Sequence, residues 1–152
     1  MYDFVDRPVS ALNEGGRLLV WAMRHWVRAA AAGRCPCGDV APAFHKHDLM
    51  PSFPHFHVMM AVLNRESREG MRFAPVACDR VSEHEALLLE LIRGAQSRTP
   101  AQMRETAALL VAPDAVGTLG IALAALSHDL TIAGLGPGLA LHDPACSRFP
   151  DE

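Results

Sequence analysis

The chain has 152 residues, half of them hydrophobic, a fifth charged and 6% aromatic, with a formal charge of −3 and a pI near 6.2. A chain of about 150 residues buries roughly two thirds of the surface its unfolded form exposes, so one soluble domain is expected without help from disulfides. Fourteen basic side chains against seventeen acidic ones leave no overall field that would gather nucleic acid or anionic lipid.

The first six residues are acidic and show no basic stretch followed by an apolar one, so no secretory signal is read and a cytoplasmic location is expected. A first helix is predicted over residues 17–32, with Leu19, Met23, Trp26 and Ala30 on one side and Gly33 ending it. Gly15 and Gly16 make a weak helix start, leaving residues 10–14 as a separate turn or a frayed extension. Residues 34–54 carry Pro36, Pro42, Pro51 and Pro54 with Gly38, and read as one long irregular segment. Such a length is uncommon in a compact domain unless something besides a core ties it down.

Ser52 is the predicted cap of a helix over residues 53–68, with Pro54 in its first turn and Phe56, Met59, Met60 and Leu63 on its buried face. Residues 71–78 are predicted to be extended. Ser82 and Glu85 form a capping box ahead of a helix over residues 83–95, whose inner face is Leu88, Leu91, Ile92 and Ala95. Thr99, Pro100 and Gln102 repeat the device for a helix reaching about residue 111. Val116, Leu119, Leu123, Leu126 and Leu130 mark the last helix, which stops at Gly134.

Gly117, Gly120 and Ala124 give that helix a strip almost free of side chains, which predicts that another helix crosses it closely. Residues 118–141 are the most membrane-like stretch, but His128, Asp129 and Pro137 interrupt it. A central Asp costs about 3 kcal/mol on an insertion scale, so no membrane is expected and the helix reads as buried. The predicted fold is all-α: a single domain built as a compact orthogonal bundle of about five helices, with a long irregular Cys/His-rich loop after the first. Its ends, about residues 1–10 and 136–152, are expected to be flexible.

Chemistry concentrates in the irregular segment. Four of the eight histidines, His45, His47, His55 and His57, form two His-x-His pairs within thirteen residues, and Cys35-Pro36-Cys37 lies just upstream. Imidazole and thiolate are donors that zinc and other transition metals prefer, and a metal could pin a loop that no core holds. His45 and His47 share a side only if the chain there is extended, whereas residues two apart in a helix diverge by about 200°. His55 and His57 begin a helix, so one of them faces the same ion, and the expected ligand set is Cys35, Cys37, His45, His47 and His57. Four ligands would make the site structural; three would leave a position for sensing or catalysis. The alternative is that these are solvated side chains around a turn, with no metal.

Cys78 sits just before a helix N-terminus, a place that can make a thiol reactive, and His84 lies near enough in sequence to serve as its base; otherwise Cys78 is a buried small residue or a further ligand. Arg17, Trp21, Arg24 and Arg28 mark one side of the first helix as a partner or homo-oligomer surface, aromatic and Arg side chains being the commonest interface anchors. Trp21 and Trp26 point to opposite sides, so one of them is expected outside the core. Phosphate loops, nucleophile elbows and dinucleotide fingerprints do not occur, so no familiar enzyme class is indicated.

The order of an Arg-bearing first helix, the Phe56-His57 element, and the run Ala74-Pro75-Val76-Ala77-Cys78-Asp79-Arg80-Val81-Ser82 leading into a leucine-rich helix resembles short helical bacterial proteins of a family with no assigned function. The resemblance implies a helical domain and supplies no activity. Such proteins carry an extra cysteine beside the Cys78 position, where this chain has Arg80, which argues against Cys78 belonging to a thiolate cluster. Two functional expectations result: a cytoplasmic helical protein holding one transition-metal ion, zinc foremost, in a structural or sensing role, or a metal-free interaction module that self-associates or docks a partner protein.

Overall fold

The computed structural model describes residues 3–140. Among them are six α-helices and no strand: α1 (Glu14–Ala31), α2 (Pro36–Lys46), α3 (Phe53–Glu66), α4 (Glu83–Gly94), α5 (Pro100–Leu110) and α6 (Val116–Ile132). The all-α expectation holds, with one helix more than foreseen.

The additional helix is α2, which replaces the irregular Cys/His-rich loop. Pro36 occupies the first helical position, where the missing N–H has no helical partner to lose. Pro42 lies inside the helix, and what offsets its cost is burial: Val40 and Phe44, four apart, are fully buried, and Phe44 meets the rings of Phe53 and Phe56 at 5.3 and 5.2 Å. Reading every proline as a break hid this apolar pair.

Helix α1 begins earlier than predicted because Asn13 caps it. Its Oδ1 accepts from the Gly16 amide at 2.9 Å and from the Gly138 amide at 3.0 Å, while its Nδ2 donates to the Gly136 carbonyl at 2.9 Å. Gly15 is required there: a Cβ would lie 1.8 Å from the Leu135 carbonyl oxygen. Two glycines that look like poor helix starters therefore let residues 135–138 settle against the first turn. Helices α1 and α6 close alike, through Gly33 (φ 74°) and Gly134 (φ 71°), with Arg34 and Leu135 amides reaching back to the Ala29 and Leu130 carbonyls.

Helix α6 packs against α3, α4 and α5, and α1 packs against α2 and α4, around one apolar cluster. Among the described residues no helix crosses the strip of Gly117, Gly120 and Ala124 closely. It lines a groove of about 410 Å³ beside α5, and a Cβ at Gly117 or Gly120 would meet nothing. Pro113–Ile132 is long and apolar enough to cross a membrane, and 44% of that window is buried within the protein.

Residues 67–82 run without helix from α3 to α4, and the extended run expected over 71–78 is broken by a turn in which the Cys78 amide bonds the Pro75 carbonyl at 2.9 Å. Both expected flexible ends are tied where they are described: the Asp6 and Val9 amides bond the Val81 and Asp79 carbonyls, and the Ala140 amide bonds the Ala11 carbonyl. The remainder of those ends, residues 1–2 and 141–152, lies outside the described residues.

Candidate functional site

Two polar assemblies hang from α1, and they differ in kind. The first is a buried ion pair. Arg24, only 4% exposed, donates from Nε and Nη2 to the two carboxylate oxygens of Glu85 at 2.8 and 2.9 Å, and Glu85 is 0% exposed. Two further bonds go to the Cys78 carbonyl (2.6 Å from Nη1) and the Arg80 carbonyl (2.7 Å from Nη2). Glu85 Oε1 also accepts from the Ser82 amide at 3.0 Å, forming the carboxylate half of the foreseen capping box; Ser82 Oγ has no partner. The carboxylate beside Arg24 drives the guanidinium pKa further up, against the opposing effect of burial.

This pair corrects the partner surface drawn along α1. Arg24 is enclosed by the 78–82 segment and the start of α4, whereas Arg17, Trp21 and Arg28 remain exposed. Trp21 stacks on His25 at 4.1 Å, and Trp26 is buried, so the two tryptophans do take opposite sides.

The second assembly gathers three of the sequence-predicted residues. Cys35 is the N-cap of α2 and is exposed; Cys37, in the helix's first turn, is half-buried against the core. The Cys37 sulfur lies 3.8 Å from His57 Nδ1, and Trp26 Nε1 donates to that same nitrogen at 3.1 Å. Since indole N–H can only donate, Nδ1 is the acceptor, and neutral His57 carries its proton on Nε2. The imidazole sits between the Trp26 ring (5.9 Å) and the Phe53 ring (6.0 Å).

The two thiols are driven apart electrostatically. The Cys37 amide, then the Cys37 thiol and the Gly38 amide, turned toward the Cys35 sulfur at the start of α2, favour its thiolate and pull its pKa down, outweighing desolvation and the nearby Asp39 carboxylate, although the Cys35 side chain makes no capping hydrogen bond. Burial, followed by the neighbouring Cys35, pushes the Cys37 thiol up. Arg34, at the same corner, is engaged with Asp39 at 3.0 Å.

The other expected ligands do not join. His45 is exposed on α2, and His47 Nδ1 lies 3.2 Å from Glu14 Oε1; helical geometry sends them apart, as residues two apart in a helix must go. His55 Nε2 is 3.9 Å from Asp129. Among the described residues no three His, Cys, Asp or Glu side chains are grouped to hold a metal ion. Cys37 and His57 have the spacing of two ligands to one ion, but the Trp26 N–H occupies the lone pair such an ion would need.

Nor do Cys78 and His84 pair. The Cys78 thiol donates to the Arg80 carbonyl at 3.5 Å, and His84 Nδ1 accepts from the Arg72 amide at 2.6 Å. Sequence reasoning overlooked Trp26 as a polar partner and Glu85 as the partner of Arg24. For the latter the local pattern is ambiguous, since the helical neighbours of Arg24 are Val20 and Val27 on one side and the exposed Trp21 and Arg28 on the other. Comparison with family models, curated proteins and solved structures finds no match for this chain.

Proposed function

We propose that the protein is a small thiol–disulfide redox module working through Cys35 and Cys37, with a cytoplasmic resting state in which both are reduced. The observation that carries this reading is the asymmetry of the pair: an exposed, acidified thiol at a helix N-terminus beside a half-buried thiol of higher pKa. An attacking sulfur must be accessible and ionised; a resolving sulfur must be close and protected. With one residue between them the two Cα atoms fall within the roughly 4.4–6.8 Å window a disulfide spans, and Cys35, at the N-cap with an extended backbone (ψ 117°), lies outside the helical register that separates His45 from His47.

The Cys35 thiolate attacks one sulfur of a substrate disulfide, forming a mixed disulfide and expelling the other substrate sulfur as thiolate. Cys37, once deprotonated, attacks the Cys35 sulfur, forming the Cys35–Cys37 bond and releasing the second substrate thiolate. Substrate gains two electrons and the protein dithiol loses two; a small-molecule thiol returns the protein to its reduced form.

Titration of the reduced protein with oxidised glutathione, followed by peptide mass spectrometry, tests the reading. The expected product is an internal Cys35–Cys37 disulfide, with a trapped glutathione adduct on Cys35 in Cys37→Ser and no adduct there in Cys35→Ser. A pair that stays reduced up to about −150 mV, or stoichiometric zinc on the purified protein that is lost in Cys37→Ser, would replace this reading with the metal-holding one.

A further inference from the structure

We infer that the cavity between α4 and α5 is a binding site for an aliphatic monocarboxylate, separate from the dithiol and not dependent on it. Both helices rest on α6, and between them, with the 69–71 segment contributing to its wall, opens a cavity of about 710 Å³, within the roughly 300–1,000 Å³ of small-molecule sites. Leu87 and Leu91 of α4 and Leu109 and Leu110 of α5 line it. Leu109 is 78% exposed and Leu87 36%, so apolar surface stays open to water along this cleft, and a hydrocarbon chain laid there would cover it.

Charge decides what such a chain must carry. Arg98, half-buried, is the only lysine or arginine among the described residues lining the cavity, and it forms none of the ion pairs seen there. Its Nη1 donates to Thr106 Oγ1 at 3.4 Å. The end of α4 beside it, where a Cβ on Gly94 would lie 3.6 Å from its Nε, supplies only partial negative charge. A cation withdrawn from water without a counter-ion is costly, whereas a solvated carboxylate demands nothing. The three glutamates of the lining make no such demand: Glu69 and Glu83 are exposed, and both oxygens of Glu90 accept from Arg93 at 2.6 Å. What the cavity lacks is therefore an anion at Arg98. Its other end is negative, because the Arg72 amide bonds His84 Nδ1 at 2.6 Å and so brings the segment bearing Glu69 to the start of α4, where Glu83 stands. The twelve residues of α4 run about 18 Å between these ends. A single carboxylate with an apolar tail suits both, while a second carboxylate on the tail would be carried toward two like charges.

Isothermal titration calorimetry of the intact reduced protein with decanoate, decanedioate and decylammonium, each below its micelle concentration, tests the assignment. One decanoate per chain is expected, with the other two bound at least about tenfold more weakly. Arg98→Gln is expected to weaken decanoate about tenfold or more by removing the charge-assisted bonds. Leu109→Glu, at a position too exposed to decide folding, is expected to weaken it similarly, and it keeps the test in force if Arg98→Gln does not fold. No decanoate heat at millimolar concentration, equal decanoate affinity in Leu109→Glu or in a folded Arg98→Gln, or tighter binding of decylammonium overturns the inference. Because Arg98 also borders the groove beside Gly117 and Gly120, methyl spectra must show decanoate shifting Leu109 and Leu110; shifts confined to Met103 and Ile121 place the ligand in that groove and overturn it too.

Discussion

Arg24 and Trp26 stand two residues apart on α1, yet the polar assemblies they serve have opposite characters. Around Arg24 the charges are matched: the guanidinium meets both oxygens of Glu85 and two backbone carbonyls, both side chains are buried, and only the Ser82 hydroxyl beside them lacks a partner. Around Trp26 the matching is incomplete, since one imidazole nitrogen faces both an indole N–H and a thiol, and a second thiol lies open to solvent. A polar group whose bonding capacity is used up holds a fold together; one with reactive capacity left over is where chemistry can happen.

The sharpest break in this comparison is Arg24→Met. It leaves the Glu85 carboxylate buried without its partner, and a loss of about 3–5 kcal/mol is expected in urea denaturation monitored by circular dichroism. Adding Glu85→Met should recover part of that loss, because two apolar side chains strand no charge. If Arg24→Met alone unfolds at the wild-type denaturant concentration, the pair is not the fastener described here.

A smaller effect is expected of Trp26→Phe, which removes the N–H donor and some buried ring area while leaving His57 in place. About 1–2 kcal/mol of stability should be lost. A cost as large as that of Arg24→Met would mean that the second assembly is structural like the first.

The least disruptive measurement is alkylation by iodoacetamide across pH, read at each cysteine by mass spectrometry. Only the thiolate reacts, and its fraction grows as pH rises through the thiol pKa. Cys35, with its pKa lowered, should react from a lower pH than an ordinary thiol, and Cys37, with its pKa raised, only at higher pH. Coincident profiles would remove the asymmetry on which the redox reading stands.

How much of this was legible beforehand follows from the range of the interactions. The caps at Thr99 and Glu85 and the buried faces of α3, α4 and α6 are local, and their apolar spacing announced them. Helix α2 was obscured because Pro36 and Pro42 speak louder in sequence than Val40 and Phe44, although burial of the latter two decides the outcome. The cluster of Cys35, Cys37 and His57 was visible as a set of residues, but with a metal as its expected occupant. Trp26, whose hydrogen bond argues for a different chemistry, is 31 positions from His57, and Glu85 is 61 from Arg24. Side-chain pairings at such separations leave no periodic trace.

The cap of α1 has a consequence for how the molecule is made. Asn13 caps the Gly16 amide within the first turn by itself, but its side-chain amide and the space left open by Gly15 are used only when residues 135–138 dock, so that corner of α1 is finished by a segment more than a hundred positions away. Closing that seam carries the entropy of a long loop, so its contacts are expected among the last to form as the chain folds and among the first to open when it is stressed.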